Sequence, residues 1–234
     1  MTDDLYSEGM RIAATLHDLD GPNVNPLCHT RVYTHGRRVE RSLLLLHGSA
    51  AAGAGLGEHL TIAGLSLGGI LAGILAQTRE GIDRSVLIAP MLGLKPIPGP
   101  VLGALTKAAT LLPNFYVWWN NDLKDRLGPP YGYPRFATHA YAALFDCGLM
   151  LMKPARRSAP KARSIAVITN AAEPRLDNRF TYQLADFWRA HGAAVESFEF
   201  AAADGLTHDL IDPGNAAQKT AYVYPIVTRL IEGV

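Results

Sequence analysis

The 234-residue chain has 48% hydrophobic residues, 18% charged residues and a formal net charge of +1. A charged fraction below about a quarter excludes an intrinsically disordered chain and favours one domain with a large buried core. The near-zero net charge gives no reason to expect a nucleic acid as partner.

The two cysteines, Cys28 and Cys147, lie far apart and lack the spacing of metal ligands, so we expect two reduced thiols. The start of the chain, MTDDLYSEG, lacks the basic region and apolar core of a signal peptide. The apolar runs are too short, or too often interrupted by proline and lysine, to span a bilayer. We therefore expect a cytoplasmic protein without stable insertion into a membrane.

Short apolar runs alternate with segments of helical periodicity along most of the chain. The runs that predict strands are 32–35 (VYTH), 41–48 (RSLLLLHG), 60–65 (LTIAGL), 85–90 (SVLIAP), 164–169 (SIAVIT) and 195–200 (VESFEF). Helices are predicted over 70–77, 179–192 and the C-terminal stretch that contains Pro225. This alternation predicts an α/β fold, with a mostly parallel sheet and helices on both of its faces.

Residues 91–163 interrupt the alternation, because they hold nine of the fifteen prolines and two of the three tryptophans. Only short helices are expected there, around 102–112 and 137–152. We therefore predict a core formed by residues 1–90 and 164–234, with 91–163 inserted above the sheet as a cap.

The segment Gly64-Leu65-Ser66-Leu67-Gly68 stands between a predicted strand and a predicted helix. In this Gly-x-Ser-x-Gly pattern the serine lies on a sharp strand-to-helix turn that exposes its hydroxyl, and side chains two residues to either side would clash. A glycine-rich packing turn is the alternative interpretation. The pattern in this context predicts Ser66 as a nucleophile.

A serine hydroxyl needs a base near neutral pH, and His208 is the best candidate among the eight histidines. It follows the last predicted strand, in the polar segment DGLTHDLIDP, where a loop would deliver it to the carboxyl edge of the sheet. A histidine on the surface without a catalytic role is the alternative.

The base in turn needs a carboxylate that orients it and stabilises the imidazolium. The loop after the strand SIAVIT, NAAEPRLDNRF, offers Glu173 and Asp177. Glu173 is nearer to the strand end, where functional groups gather in parallel sheets, whereas Asp177 suits the N-cap of the next helix. We predict Glu173 as the acid, with Asp177 as the alternative.

The transition state also needs N–H donors for the developing oxyanion. In such a turn Leu67, directly after the nucleophile, supplies one backbone amide. The second is expected from Ser49, in the loop after the run of leucines, with His47 supporting that loop. No metal or organic cofactor is implied by these residues.

The segments LLLLHG, IAGLSLGG, NAAEPRLDN and THDLIDP together resemble the α/β-hydrolase superfamily, in particular small bacterial carboxylesterases and monoacylglycerol-lipase-like enzymes. The resemblance covers most of the chain, residues 30–234. It implies hydrolysis of carboxylic esters through an acyl-enzyme, and a cap at the place where residues 91–163 fall. An aspartate is usual in the family where Glu173 stands.

The segment before the elbow strand departs from the family pattern. Only 14 residues, 47–60, separate the two strands that the family connects through a helix, a strand and a second helix. Residues 49–57 (SAAAGAGLG) have the composition of a flexible linker, so we expect an excised segment and a shortened sheet. A crossover of about ten to twelve residues can still pair the two strands in parallel. A second copy of the chain, as a homo-oligomer, would cover the exposed sheet.

We expect the substrate to be a small-molecule ester with a short to medium acyl chain, similar to a monoacylglycerol. The cap aromatics are expected either to line the acyl pocket or to pack inside the cap: Phe115, Tyr116, Trp118 and Trp119. An acyltransferase or thioesterase on the same residues is an alternative, because the fold does not determine the reaction. A catalytically weakened scaffold is another, since the shortened 49–57 segment carries an oxyanion donor.

Overall fold

The computed structural model describes residues 7–8, 10–11, 39–45, 57–118, 135–213 and 219–233, with only the backbone described for 39–45 and 135–136. Cys28 and the predicted strand 32–35 lie outside these ranges. In chain order the elements are β1 (Val39–Leu45), β2 (Gly57–Leu65), α1 (Leu67–Thr78), β3 (Arg84–Ile88), α2 (Gly99–Leu111), β4 (Tyr116–Trp118), β5 (Arg135–Ala137), α3 (Thr138–Ala155), β6 (Ser164–Asn170), α4 (Asn178–Ala190), β7 (Ala194–Phe200) and α5 (Thr220–Glu232).

Five strands form one sheet in the order β1-β2-β3-β6-β7, and every neighbouring pair is parallel. The predicted parallel α/β sheet is therefore confirmed. β1 pairs with β2 from Val39 opposite Gly57 to Leu45 opposite Ala63. The connection between these two strands, residues 46–56, lies outside the described residues, as does nearly all of the predicted linker 49–57.

The sheet is buried on both faces because the strands alternate apolar side chains between two cores. Leu87 and Val167 point to the core that α1, α3 and α4 cover. Val86 and Ile168 point to the opposite core, which α5 closes with Val223, Val227 and Leu230. This burial explains why the central strands are continuous apolar runs in the sequence.

The helix α4 follows the amphipathic pattern that its sequence predicts. It turns Thr181, Leu184, Ala185 and Trp188 inward, and Asp177 caps its first turn. The C-terminal helix α5 contains Pro225 in its interior. Among the described residues, no helix has both the length and the hydrophobicity that a bilayer-spanning segment needs.

Residues 91–163 contain the helices α2 and α3 and, between them, two short antiparallel strands, β4 and β5, that the sequence did not predict. Three-residue strands are too short to show an alternating pattern. The C-terminal half of α3 enters the main core, where Leu151 and Ala155 are fully buried. A Cβ on Gly73 of α1 would lie 2.5 Å from the Leu151 side chain, so the two helices pack closely.

Candidate active site

Ser66 occupies the turn between β2 and α1 in a conformation that few non-glycine residues adopt. Its φ is 58° and its ψ is −114°. The backbone N–H of Ser66 donates to the carbonyl of Ile88 at the end of the neighbouring strand, at 2.9 Å. Strained residues of this kind persist only where the surroundings impose them, and they cluster at functional sites. The turn presents Ser66 at the carboxyl edge of the sheet.

Ser66 has one glycine two residues before it and another two residues after it. Only at the first of these, Gly64, would a side chain clash with its surroundings. A Cβ on Gly64 would lie 2.2 Å from the backbone carbon of Gly68, whereas a Cβ on Gly68 would meet nothing within 4 Å. The expectation of a clash at both positions is therefore wrong for Gly68. The crowding is one-sided because Gly64 faces the start of α1, while the Cβ direction of Gly68 is open.

The two glycines should consequently respond in opposite ways to alanine. Gly64→Ala should lower the free energy of unfolding by about 3 kcal/mol or more, because backbone atoms must move apart. Gly68→Ala should leave it unchanged or raise it by up to about 1 kcal/mol, since alanine restricts the unfolded chain and suits a helix. Urea denaturation of both variants measures this difference. A Gly68→Ala loss as large as that of Gly64→Ala would contradict it.

His208 lies in the loop after β7, where buried leucines anchor the chain on both sides of it. Leu206 and Leu210 are 2% and 0% exposed and belong to the core beneath α5. The imidazole Nε2 lies 2.9 Å from Ser66 Oγ, and Nδ1 lies 2.9 Å from Glu173 Oε2. The structure thus brings together the three residues that the sequence analysis selected from separate segments.

Glu173 is buried, with a side chain 1% exposed, and both of its carboxylate oxygens are occupied. While Oε2 faces His208, Oε1 accepts from the amides of Arg175 at 3.0 Å and Leu176 at 3.3 Å. Burial raises the pKa of Glu173, but the hydrogen bonds from His208 and the two amides outweigh it, so the pKa lies below its ordinary value. Lys95 Nζ also donates to the backbone carbonyl of Glu173, at 2.6 Å.

The ionised carboxylate determines which atoms carry protons in this arrangement. A carboxylate only accepts, so Nδ1 of His208 must donate to Glu173, and Nε2 is left to accept the hydroxyl proton of Ser66. This is the protonation pattern that activates a serine for attack on a carbonyl carbon. The geometry therefore supports nucleophilic acyl chemistry.

Asp177, the alternative acid, makes its hydrogen bonds to the first turn of its own helix. Its Oδ1 accepts from the backbone N–H of Arg179 at 3.1 Å, which caps α4, and the Arg179 guanidinium contacts both oxygens at 2.6–3.0 Å. These contacts with Arg179 hold the pKa of Asp177 below its ordinary value despite burial. The sequence allowed Asp177 to be either the acid or the N-cap of α4, and the structure shows it as the N-cap.

Leu67 begins α1, and its amide is one of the N–H groups at a helix start that have no acceptor within the helix. No side chain among the described residues caps this helix end, so its first N–H groups point toward the Ser66 turn without a side-chain acceptor from that part of the chain. A positive helix end suits a developing oxyanion. The second expected donor, Ser49, and its neighbour His47 lie outside the described residues.

Met91 is a neighbour of Ser66 that the sequence analysis missed. Its Sδ lies 3.9 Å from Ser66 Oγ, and its N–H donates to the Ser66 carbonyl at 3.3 Å. The available signal was its place directly after β3, since the ends of parallel strands meet at one edge.

The three described cap aromatics differ in exposure, and none of the three lines the cleft between α2, α3 and α4. Phe115 and Tyr116 are 55% and 58% exposed, and Trp118 is partly buried. Trp119 lies outside the described residues. The cleft, about 730 Å³ between α2, α3 and α4, is mainly apolar and is lined by residues that include Leu92, Leu102, Phe145, Met152 and Phe180. In the described ranges, no three His, Cys, Asp or Glu side chains group as metal ligands would.

Comparison with known proteins supports the fold. No family model matches the sequence, and no curated protein matches it. The monoacylglycerol lipase of Paleococcus ferrophilus superposes with a TM-score of 0.53 at 19% identity, over 75% of this chain and 69% of the lipase. A soluble variant of the monoglyceride lipase of Saccharomyces cerevisiae, in complex with a substrate analogue, gives 0.55 at 13% identity, over 74% and 64%. The chain has the α/β-hydrolase fold and spans about two thirds of the length of these chains.

Proposed function

We propose that this chain is a serine hydrolase that cleaves carboxylic esters through an acyl-enzyme. The observation that carries the proposal is the position of His208, whose ring nitrogens lie 2.9 Å from Ser66 Oγ on one side and 2.9 Å from Glu173 Oε2 on the other. These distances, and the chain order serine, acid, histidine, support the proposal, because acyl transfer by a serine needs a base within hydrogen-bond reach and an acid that orients the base.

Each residue then has a defined role in two successive steps. The Ser66 oxygen attacks the ester carbonyl while His208 Nε2 takes its proton, and the same proton passes to the departing alcohol. Water then attacks the acyl-enzyme while His208 Nε2 takes one of the water's protons, and that proton passes to Ser66 Oγ as the carboxylic acid departs. Glu173 holds the imidazole in orientation and stabilises its charged form, and the amides of Leu67 and Ser49 bind the oxyanion.

The proposed substrates are esters with short to medium acyl chains, of the monoacylglycerol type. Support comes from the two structural neighbours, which are named as monoacylglycerol and monoglyceride lipases. Within this proposal, residues 91–163 act as the cap, although α3 also packs on α1. The aromatic residues Phe115, Trp118 and Trp119 would contact the acyl chain.

Reaction with a fluorophosphonate followed by an ester series tests the proposal. We expect one equivalent of phosphonate to label Ser66, because only an activated serine reacts, and turnover of p-nitrophenyl esters to peak at short to medium chains. Intact-mass and peptide mass spectrometry measure the label, and release of p-nitrophenol measures turnover. Absence of label at Ser66 would refute the proposed hydrolase activity. If Ser66 is labelled but only thioesters are turned over, a thioesterase is favoured.

A further inference from the structure

Asn170, the last residue of β6, is a buried amide that contacts two separate loops. It is 1% exposed. Its Nδ2 donates to the backbone carbonyls of Leu206 at 2.8 Å and Thr207 at 3.3 Å. Its Oδ1 accepts from the backbone N–H of Ala172 at 2.9 Å. One side chain therefore bonds the two residues that precede His208 and the residue that precedes Glu173.

The backbone of this residue is itself held firmly. The carbonyl of Asn170 accepts from Asn178 Nδ2 at 2.8 Å, and the next amide, of Ala171, donates to the carbonyl of Phe200 at 3.0 Å. Asn170 also pairs with Phe200 across the parallel strands β6 and β7. The amide thus projects from the fixed end of the sheet rather than from a mobile segment.

We propose that Asn170 is a positioning residue that sets the separation between the loop carrying His208 and the loop carrying Glu173. This inference rests on the proposed function, because it assigns the amide to the same catalytic residues. The two loops are joined twice: by the hydrogen bond between His208 Nδ1 and Glu173, and by the Asn170 side chain, which bonds to both loops. Without the amide, the imidazole would keep its partners only part of the time.

The chemistry of the site explains why an amide is needed there. The position requires a donor toward two carbonyl oxygens and an acceptor toward one N–H, which only asparagine offers at this size. An aspartate would keep the acceptor but set a carboxylate oxygen against the carbonyls of Leu206 and Thr207. Those carbonyls would lose their donor, and the loop would shift to relieve the repulsion.

The test compares Asn170→Asp with a matched change at Gln77, a second buried amide that is 5% exposed. Gln77 Nε2 donates to the carbonyl of Ala159 at 3.1 Å, and its Oε1 accepts from Trp188 Nε1 at 2.7 Å. It lies near the far end of α1, about 16 Å along the helix from Ser66. Gln77→Glu therefore makes the same amide-to-carboxylate change away from the site.

For Asn170→Asp we expect kcat to fall by about 10- to 100-fold, because a displacement of about 1 Å at catalytic groups has effects of this size. KM should stay within about twofold, since the residue does not touch substrate. Gln77→Glu should lower the melting temperature but leave kcat unchanged below it. Full pH profiles are recorded so that a change in ionisation is not mistaken for a loss of turnover.

Three results of the kinetic comparison would overturn the inference. These are an unchanged kcat in Asn170→Asp, a loss that appears only in KM, or an equal loss of kcat in Gln77→Glu. If Asn170→Asp does not fold, Asn170→Ser, whose short side chain cannot reach the carbonyls, must show the same loss of kcat. Fluorophosphonate labelling separates the two proposals. If the unaltered protein takes up no label, the proposed hydrolase activity is refuted. If the unaltered protein and Asn170→Asp are labelled at the same rate, only the positioning role of Asn170 is refuted.

Discussion

Ser66→Ala is expected to abolish ester hydrolysis, with a fall in kcat of about 10⁶-fold, and to leave the protein folded. Loss of the nucleophile removes the acyl-enzyme route completely, and substitutions of this kind in serine hydrolases have effects of that order. Among the residues that the structure describes, the Ser66 hydroxyl contacts only His208 and the Met91 sulfur, so the change in unfolding free energy should stay within about 1 kcal/mol. Turnover of p-nitrophenyl esters and thermal melting measure the two quantities.

Ser85→Ala provides the matched control for this variant. Ser85 is a fully buried serine of β3 whose hydroxyl donates to the Ala72 carbonyl at 3.1 Å, away from the candidate site. Its loss should cost about 1 kcal/mol of stability and leave kcat unchanged. Retention of more than a few percent of turnover in Ser66→Ala, in a purified and folded sample, would show that another group is the nucleophile.

Glu173→Gln is expected to lower kcat by about 10³- to 10⁴-fold, whereas Asp177→Asn should change it by less than about twofold. A glutamine amide facing Nδ1 can donate to it, which favours the wrong tautomer and leaves Nε2 unable to accept the Ser66 proton. Asparagine at 177 keeps an oxygen for the Arg179 amide, and asparagine is an equally good N-cap. Steady-state kinetics of both variants on one ester measure the contrast.

The two variants should also differ in stability. Asp177→Asn gives up an ion pair with an Arg179 side chain that is 80% exposed, which is worth little in water. Because the pKa of Glu173 is lowered in the folded protein, its carboxylate contributes stability above the ordinary glutamate pKa. That contribution is lost as the pH falls through the lowered value, so the difference between Glu173→Gln and the unaltered protein should narrow in acid. Equal kinetic losses in both variants would return the acid role to Asp177.

The strand-to-helix turn at Ser66 could be predicted because local sequence controls it. An apolar strand, a glycine with no room for a Cβ and an apolar helix that begins directly after the serine leave few other conformations. The parallel sheet followed in the same way from buried runs that alternate with helices. The pairing of β4 with β5 could not be predicted, because three-residue strands depend on tertiary neighbours rather than on a repeating pattern.

The sequence by itself determined the fold class and the short set of residues from which the site is drawn, including Ser66 and His208. It did so because hydrophobic periodicity, the alternation of strands with helices along the chain and the glycine pattern are properties of neighbouring residues. Only the tertiary structure decided which carboxylate contacts His208: the Glu173 carboxylate does, whereas the Asp177 carboxylate accepts from the backbone amide of Arg179. The same applies to Asn170, whose partners lie 36 and 37 residues further along the chain. Contacts between distant segments depend on how the loops pack after folding, and no local pattern encodes them.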